Sequence, residues 1–177
     1  MSLLIITSRD DGTNGCLWVE SPSHKNEGEV LPVYLEWVEQ PSEQDWVDLE
    51  KLYKEAPDPW FADFGVADTQ GYVAKHQDGE SVLAAGRFND RLITAASLQQ
   101  HERGYLIQHL CVRSVTRERG VAHQLMVRLA QWADEKGLGL VVEANSPDLS
   151  TLLTKLEEYG FSQQGQLWIR TPEPAAQ

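Results

Sequence analysis

The stretch from Leu110 to Ala122 constrains this chain more than any other. Leu110-Cys111-Val112 reads as the end of an apolar strand and Arg113-Ser114-Val115-Thr116-Arg117-Glu118-Arg119 as a basic turn, while Gly120-Val121-Ala122 opens a long amphipathic run. The first backbone N–H groups of a helix have no partner within it and carry the positive end of its dipole. A helix that begins at Gly120 therefore presents an anion site. Gly120 and Ala122 lack bulk, so a pyrophosphate can approach the backbone closely. Arg117 and Arg119 add charge-assisted hydrogen bonds.

Charge sharpens that reading. The formal net charge is -12, and a polyanionic surface is repelled by phosphate backbones and anionic lipid, so neither nucleic acid nor membrane is an expected partner. Residues 101–128 nevertheless hold five arginines and three histidines against two acids, Glu102 and Glu118. Such an island in an acidic chain fits a specific anionic ligand, the alternative being a chance cluster on a solvated face. At 177 residues, 41% hydrophobic and 24% charged, the chain fits one globular core. The opening run Met1 to Thr7 is broken by Ser8, Arg9 and Asp10, without a basic start or a cleavage site, so no signal peptide is expected. Cys16 and Cys111 suggest no disulfide framework, and the histidines and cysteines show no metal-ligand spacing. A reducing, cytoplasmic setting is expected.

The elements follow in an α/β order. Residues 1–30 read as an N-terminal arm, 31–171 as the folded domain and 172–177 as a tail. Val33 to Val38 is rich in β-branched and aromatic residues and reads as a strand. Ser42 is a plausible N-cap for a helix carrying Trp46, Leu49, Leu52 and Tyr53 on one face, ended by Pro57 and Pro59. Trp60 to Phe64 reads as a proline-flanked aromatic loop, either packed on the core or lining a pocket. Ser81 to Phe88 and Leu92 to Leu98 form a hairpin around Asn89-Asp90, residues that tolerate positive φ. Tyr105 to Val112 is a third strand, Gly120 to Lys136 a helix stopped by Gly137, and Leu138 to Ala144 a buried parallel strand. A second helix is expected from the cap at Ser146 to Gly160, then a strand pair at Phe161 to Gln163 and Leu167 to Ile169.

Arg117-x-x-Gly120-x-Ala122, five residues beyond a strand-ending Val112, resembles the Q/R-x-x-G-x-G/A signature of the GNAT acetyltransferases. The likeness extends over roughly residues 32–170, to the helix and strand that follow and to the closing Gly160-Phe161. It implies a mixed central β-sheet, splayed between its middle strands and flanked by helices, with acetyl-CoA (or CoA) as cofactor. The pantetheine arm would pair with the backbone near Leu110 and Val112 and the phosphates would meet Arg117, Glu118, Arg119, Gly120, Val121, Ala122 and His123. Asn145 would touch the cofactor arm.

Transfer and sensing remain two readings. Active members of that superfamily commonly place a tyrosine four residues before the closing glycine to protonate the thiolate, and here that position is Leu156. Tyr159 is out of phase with it and reads as a packing residue. His109 is the titratable candidate for a general base on the preceding strand, alternation setting it opposite Gln108 and Leu110. Glu143 is a weaker one. The run Val112 to Val121, with Ser42 to Asp45, Asp48 to Lys51 and Arg87 to Leu92, is similar to the PanZ (PanM) family. Those proteins are GNAT-fold acetyl-CoA sensors that lack transferase hallmarks and promote self-cleavage of the aspartate α-decarboxylase precursor. The resemblance assigns Asn89 and Arg117 to a partner-facing surface. The longer segment Asp58 to Gly79 and the N-terminal arm depart from that pattern.

Overall fold

The computed structural model describes residues 30–174. All but the last residue of the expected arm, and the tail's final three residues, lie outside that range. Strand β1 (Tyr34–Trp37) leads to α1 (Glu43–Tyr53), α2 (Pro59–Asp63) and α3 (Thr69–Lys75). Strands β2 (Ser81–Phe88), β3 (Arg91–His101) and β4 (Gly104–Val112) then form an antiparallel meander. Helix α4 (Val121–Lys136), β5 (Leu140–Glu143), the short α5 (Ser150–Leu153), β6 (Ser162–Gln164) and β7 (Leu167–Arg170) complete the chain. The seven strands are ordered β1-β2-β3-β4-β5-β7-β6, with β4 and β5 parallel and every other pair antiparallel. This is the mixed, splayed α/β sheet of the GNAT fold.

Strand alternation feeds two cores. Leu98, Ile107, Leu140 and Val142 meet Leu125, Met126 and Leu129 of α4 and Leu149, Leu152 and Leu156 beyond β5. Leu83, Ala85, Ala95 and Cys111 point the other way, against Leu49, Leu52 and Tyr53 of α1 and Tyr72 and Val73 of α3. Asn89 and Asp90 take φ of 46° and 59° in the hairpin turn, and Gly137 closes α4 at φ 66°.

Three expectations need correction. The aromatic loop is helical: Pro59 starts α2 rather than ending α1, since a helix's first turn needs no N–H from proline. The segment to Gly79 also holds α3, capped by Asp68, whose carboxylate accepts from Gly71 N at 2.8 Å. Trp60 is buried there, with Phe61 and Phe64 half-buried against the same core. The helix expected from Ser146 to Gly160 is broken. A 3₁₀ turn at Pro147–Leu149, α5 and a second 3₁₀ turn at Leu156–Tyr159 replace it. Ser146 makes no side-chain cap, and i→i+3 bonds suffice to keep Leu149, Leu152 and Leu156 on the core. Alternation also fails at His109, as described below.

Three carboxylates tie the helices to the sheet, Asp45 and Asp48 buried and Asp134 half-buried. Asp48, buried in α1, takes both Arg91 and the Leu92 N–H (3.1 Å). Asp45 completes a capping box with Ser42 and takes Arg87 (2.8 Å). Asp134 of α4 holds Arg170 through two bonds of 2.6 and 2.7 Å, and Arg170 Nε donates to Tyr159 O. Burial alone would raise Asp45 and Asp48, but bonds from Ser42 and Arg87 to the first, and from Arg91 and Leu92 to the second, hold both below the usual 3.8. Arg170 lowers Asp134 in the same direction. Carboxyls depressed in the folded state stabilise it above their unfolded value and cease to do so as pH falls through the folded values. Urea melts across pH 7 to 2 should therefore show little change down to about pH 4, then a steep loss that Asp48→Asn makes shallower. A profile with equal slope in wild type and variant would remove Asp48 from this account.

Candidate functional site

Strands β4 and β5 lie side by side only at Tyr105–Leu140 and Leu106–Val141. Beyond those two pairs they diverge. The cause lies in β4: Gln108 faces Ser97 and Cys111 faces Ala95, so His109 and Leu110 share the space opposite Ala96. His109 takes φ 54° at this bulge, a conformation uncommon outside glycine. Two consecutive side chains, Gln108 and His109, are thereby turned toward the α1–α3 face. Gln108 pairs with Ser97, whose hydroxyl meets His76 in that layer, and His109 packs on Tyr72. The strict alternation that would oppose His109 to Gln108 is lost, while its opposition to Leu110 stands.

The divergence opens a cleft of about 1000 Å³. Its floor is β4 from Gln108 to Val112, and Glu143, Pro147, Thr151 and Leu152 form one wall. The opposite wall comes from the α1–α2 turn, with Glu55, and from α2, with Trp60 and Asp63. At its mouth the chain turns through Ser114–Thr116, takes φ 64° at Glu118 and 69° at Gly120, and enters α4. The two helix starts differ in a telling way. The N-terminus of α1 has a reciprocal capping box and two acids in its first turn. That of α4 has neither side-chain cap nor acid in its first turn. Its first residues, Val121, Ala122 and His123, line the cleft, and the unpartnered N–H groups of a helix start favour an anion.

Leu110, Val112, Arg117, Glu118, Gly120, Val121, Ala122 and His123 all line this cleft, while the exposed Arg119 and Asn145 are not among its lining residues. Arg117 Nε donates to Val112 O (3.3 Å) and Nη2 to Glu55 (3.4 Å). His123 Nδ1 lies 2.6 Å from the Tyr159 hydroxyl. Tyr159 is buried in the α4-side core, and that burial raises its phenol, with Glu158 adding to the shift. Leu156 is fully buried in the same core. Asn89 sits in an exposed turn at the end of the sheet that carries the basic turn, because Thr94 pairs with Val112 and Arg113 N bonds Ile93 O.

His109 is a floor residue with a built surround. It stacks on Trp60 at 4.9 Å and 14°, its Nδ1 lies 3.0 Å from the Tyr72 hydroxyl, and its Nε2 lies 3.4 Å from Asp63. A proton on Nε2 lets the ring donate to Asp63 and accept from Tyr72. Behind it, His76 Nδ1 donates to Tyr72 O and Nε2 accepts from Ser97. Burial lowers His76, and the neighbouring His109 lowers it further. Glu55, Asp63 and Tyr72 went unseen in the sequence because they come from the segment between α1 and β2, joined to the site only by the fold. The cap at Asp68 and the spacing of Tyr72, Val73 and His76 were the available signals for α3.

The family model for the PanZ acetyltransferase (GNAT) domain matches residues 32–169. The chain belongs to the PanZ family. No curated relative matches it at a significant level. Among solved structures, YhhK of E. coli, determined with coenzyme A bound, superposes at a TM-score of 0.54 with 23% identity, over 78% of this chain and 98% of that one. The ribosomal-protein-S18-alanine N-acetyltransferase of Escherichia coli gives 0.58 at 12% identity, over 82% and 97%. Aminoglycoside 6'-acetyltransferase type Ii gives 0.59 at 14%, over 81% and 99%. At such identities the likeness establishes that this PanZ-family chain has their fold. Among its described residues no helix is long and apolar enough to cross a membrane.

Proposed function

We propose that this PanZ-family chain binds acetyl-CoA in the β4–β5 cleft and reports its presence to a protein partner. The observation that carries the reading is the cleft itself: two strands paired at one end only, with the uncapped start of α4 at the mouth. Pantetheine would lie along Leu110 and Val112. The pyrophosphate would meet the N–H groups of Val121, Ala122 and His123, with Arg117 alongside. YhhK, its structural neighbour, was solved with coenzyme A. The sensing part is supported by family membership and by Leu156, a core residue at the position where transferases commonly carry a tyrosine. Asn89 and Arg117 are the proposed partner contacts, and the aspartate decarboxylase precursor is the partner that the family resemblance suggests.

A second reading, transfer of acetyl to an amine, is favoured by His109, whose ring lines the cleft between Trp60, Tyr72 and Asp63. One experiment separates the two. Acetyl-CoA is titrated calorimetrically into wild type and Arg117→Ala, and free thiol is followed in the same samples with a panel of amines. The sensor binds acetyl-CoA, releases no thiol and speeds self-cleavage of the purified decarboxylase precursor only when acetyl-CoA is present. Arg117→Ala should weaken binding about tenfold. Thiol release that His109→Gln abolishes would replace the sensor with the transferase; absence of binding would end both readings.

A further inference from the structure

The basic turn already holds an anion, and it belongs to the chain. Glu55, in the turn after α1, accepts from the Ser114 N–H at 2.9 Å, from the Ser114 hydroxyl at 3.0 Å and from Arg117 Nη2 at 3.4 Å. Glu55 and Arg117 both line the cleft, with side chains 28% and 56% exposed. Their separation in sequence, 62 residues, means that only the fold brings them together.

Arg117 thus has two claimants. A guanidinium that bonds one carboxylate oxygen at 3.4 Å while exposed to solvent is weakly held. A pyrophosphate at the first turn of α4 carries more charge and more acceptor oxygens than one carboxylate. The carboxylate also lines the same cleft, so its negative charge opposes an incoming anion even where the two do not touch. We propose that Glu55 is an internal competitor for the phosphate-binding cation: acetyl-CoA draws Arg117 away from Glu55, and Glu55 thereby sets the cofactor concentration at which the site fills. The inference rests on the acetyl-CoA reading above. It also gives that reading an output, because with the cofactor bound the turn between α1 and α2 is held to the basic turn by the two Ser114 bonds alone and Arg117 changes its partner at the proposed contact surface.

A double-mutant cycle tests it. Acetyl-CoA affinity is measured for wild type, Glu55→Gln, Arg117→Gln and the double variant, with Glu55→Ala as a second form of the first change. Both Glu55 variants should bind acetyl-CoA roughly three- to tenfold more tightly than wild type. In the Arg117→Gln background most of that gain should vanish. Unchanged or weaker binding in the Glu55 variants overturns the proposal, and weaker binding would make Glu55 a residue that positions the turn. An equal gain in both backgrounds also overturns it, since bulk charge would then explain the effect without Arg117. Wild type that fails to bind acetyl-CoA is a different result: it defeats the cofactor reading itself, and the competition with it.

Discussion

Gly104→Ala is expected to cost the protein most of its stability, more than about 4 kcal/mol. Two terms act together. Gly104 has φ 129°, a region that residues with a Cβ avoid. A Cβ built there would also lie 1.9 Å from Gly139 O and 2.4 Å from its carbonyl carbon, which are backbone atoms with no rotamer to escape into. The contact is mutual, since a Cβ on Gly139 would lie 2.1 Å from Arg103 O. This close approach brings Tyr105 N to Gly139 O at 3.0 Å, next to the two residue pairs that join β4 to β5. Gly165→Ala is the control. Its φ is 65° in the β6–β7 turn and nothing lies within 4 Å of the added carbon, so it should lose only about 1–2 kcal/mol. Urea melts of the two variants settle it. Equal midpoints would mean that the close approach of Gly104 to Gly139 does not pin β4 to β5 at this end.

That pinned end was not legible in the sequence, although the splay it bounds was expected. Gly104 and Gly139 are 35 positions apart; Gly104 alone reads as a turn residue and Gly139 as part of the strand Leu138 to Ala144. Their facing each other is a property of parallel pairing, which periodicity cannot reveal. His109 shows the same limit more sharply. Period-two alternation placed it correctly against Leu110 and wrongly against Gln108, because the bulge inserts a residue that leaves no mark in the hydrophobic pattern. By contrast, the local grammar was readable. Ser42 caps α1, Asn89-Asp90 takes positive φ, Gly120 and Gly137 bound α4, and each rests on chemistry within about four residues. The broken helix after Ser146 marks the boundary between these cases. Its leucines follow helical spacing and reach the core, yet nothing local holds the intervening turn in α form. The wall formed by Glu55, Trp60 and Asp63 was hidden for a different reason. Trp60 and Asp63 belong to the segment Asp58 to Gly79, where this chain departs from the family pattern, and Glu55 lies just before it, outside the runs that carry the resemblance, so resemblance had no residue to carry across.

Ala122→Glu should abolish acetyl-CoA binding at least about 100-fold while leaving the fold intact, which separates the cofactor reading from stability. Ala122 is the second residue of α4, half-buried at the edge of the cleft. An acid in the first turn of a helix is favourable by about 0.3–1 kcal/mol, because it meets the positive end of the dipole. The variant should therefore melt no lower than wild type. The same carboxylate would hang over the N–H groups proposed for the pyrophosphate, taking the place of the ligand and repelling it. A loss of 100-fold corresponds to about 2.7 kcal/mol, the scale of one or two charge-assisted hydrogen bonds. Ala122→Gln has nearly the same shape without the charge and should lose much less, so the ratio of the two reports how much of the effect is electrostatic. It should shrink as salt is raised, because the competing charges are partly exposed. Wild-type affinity in Ala122→Glu would place the phosphates away from α4, and the helix start at Gly120 would not be the anion site. Loss of both binding and melting temperature would instead mean that the side chain damages the packing of Ala122 against the α4-side core. The equal-stability comparison between the Glu and Gln forms is what tells these outcomes apart.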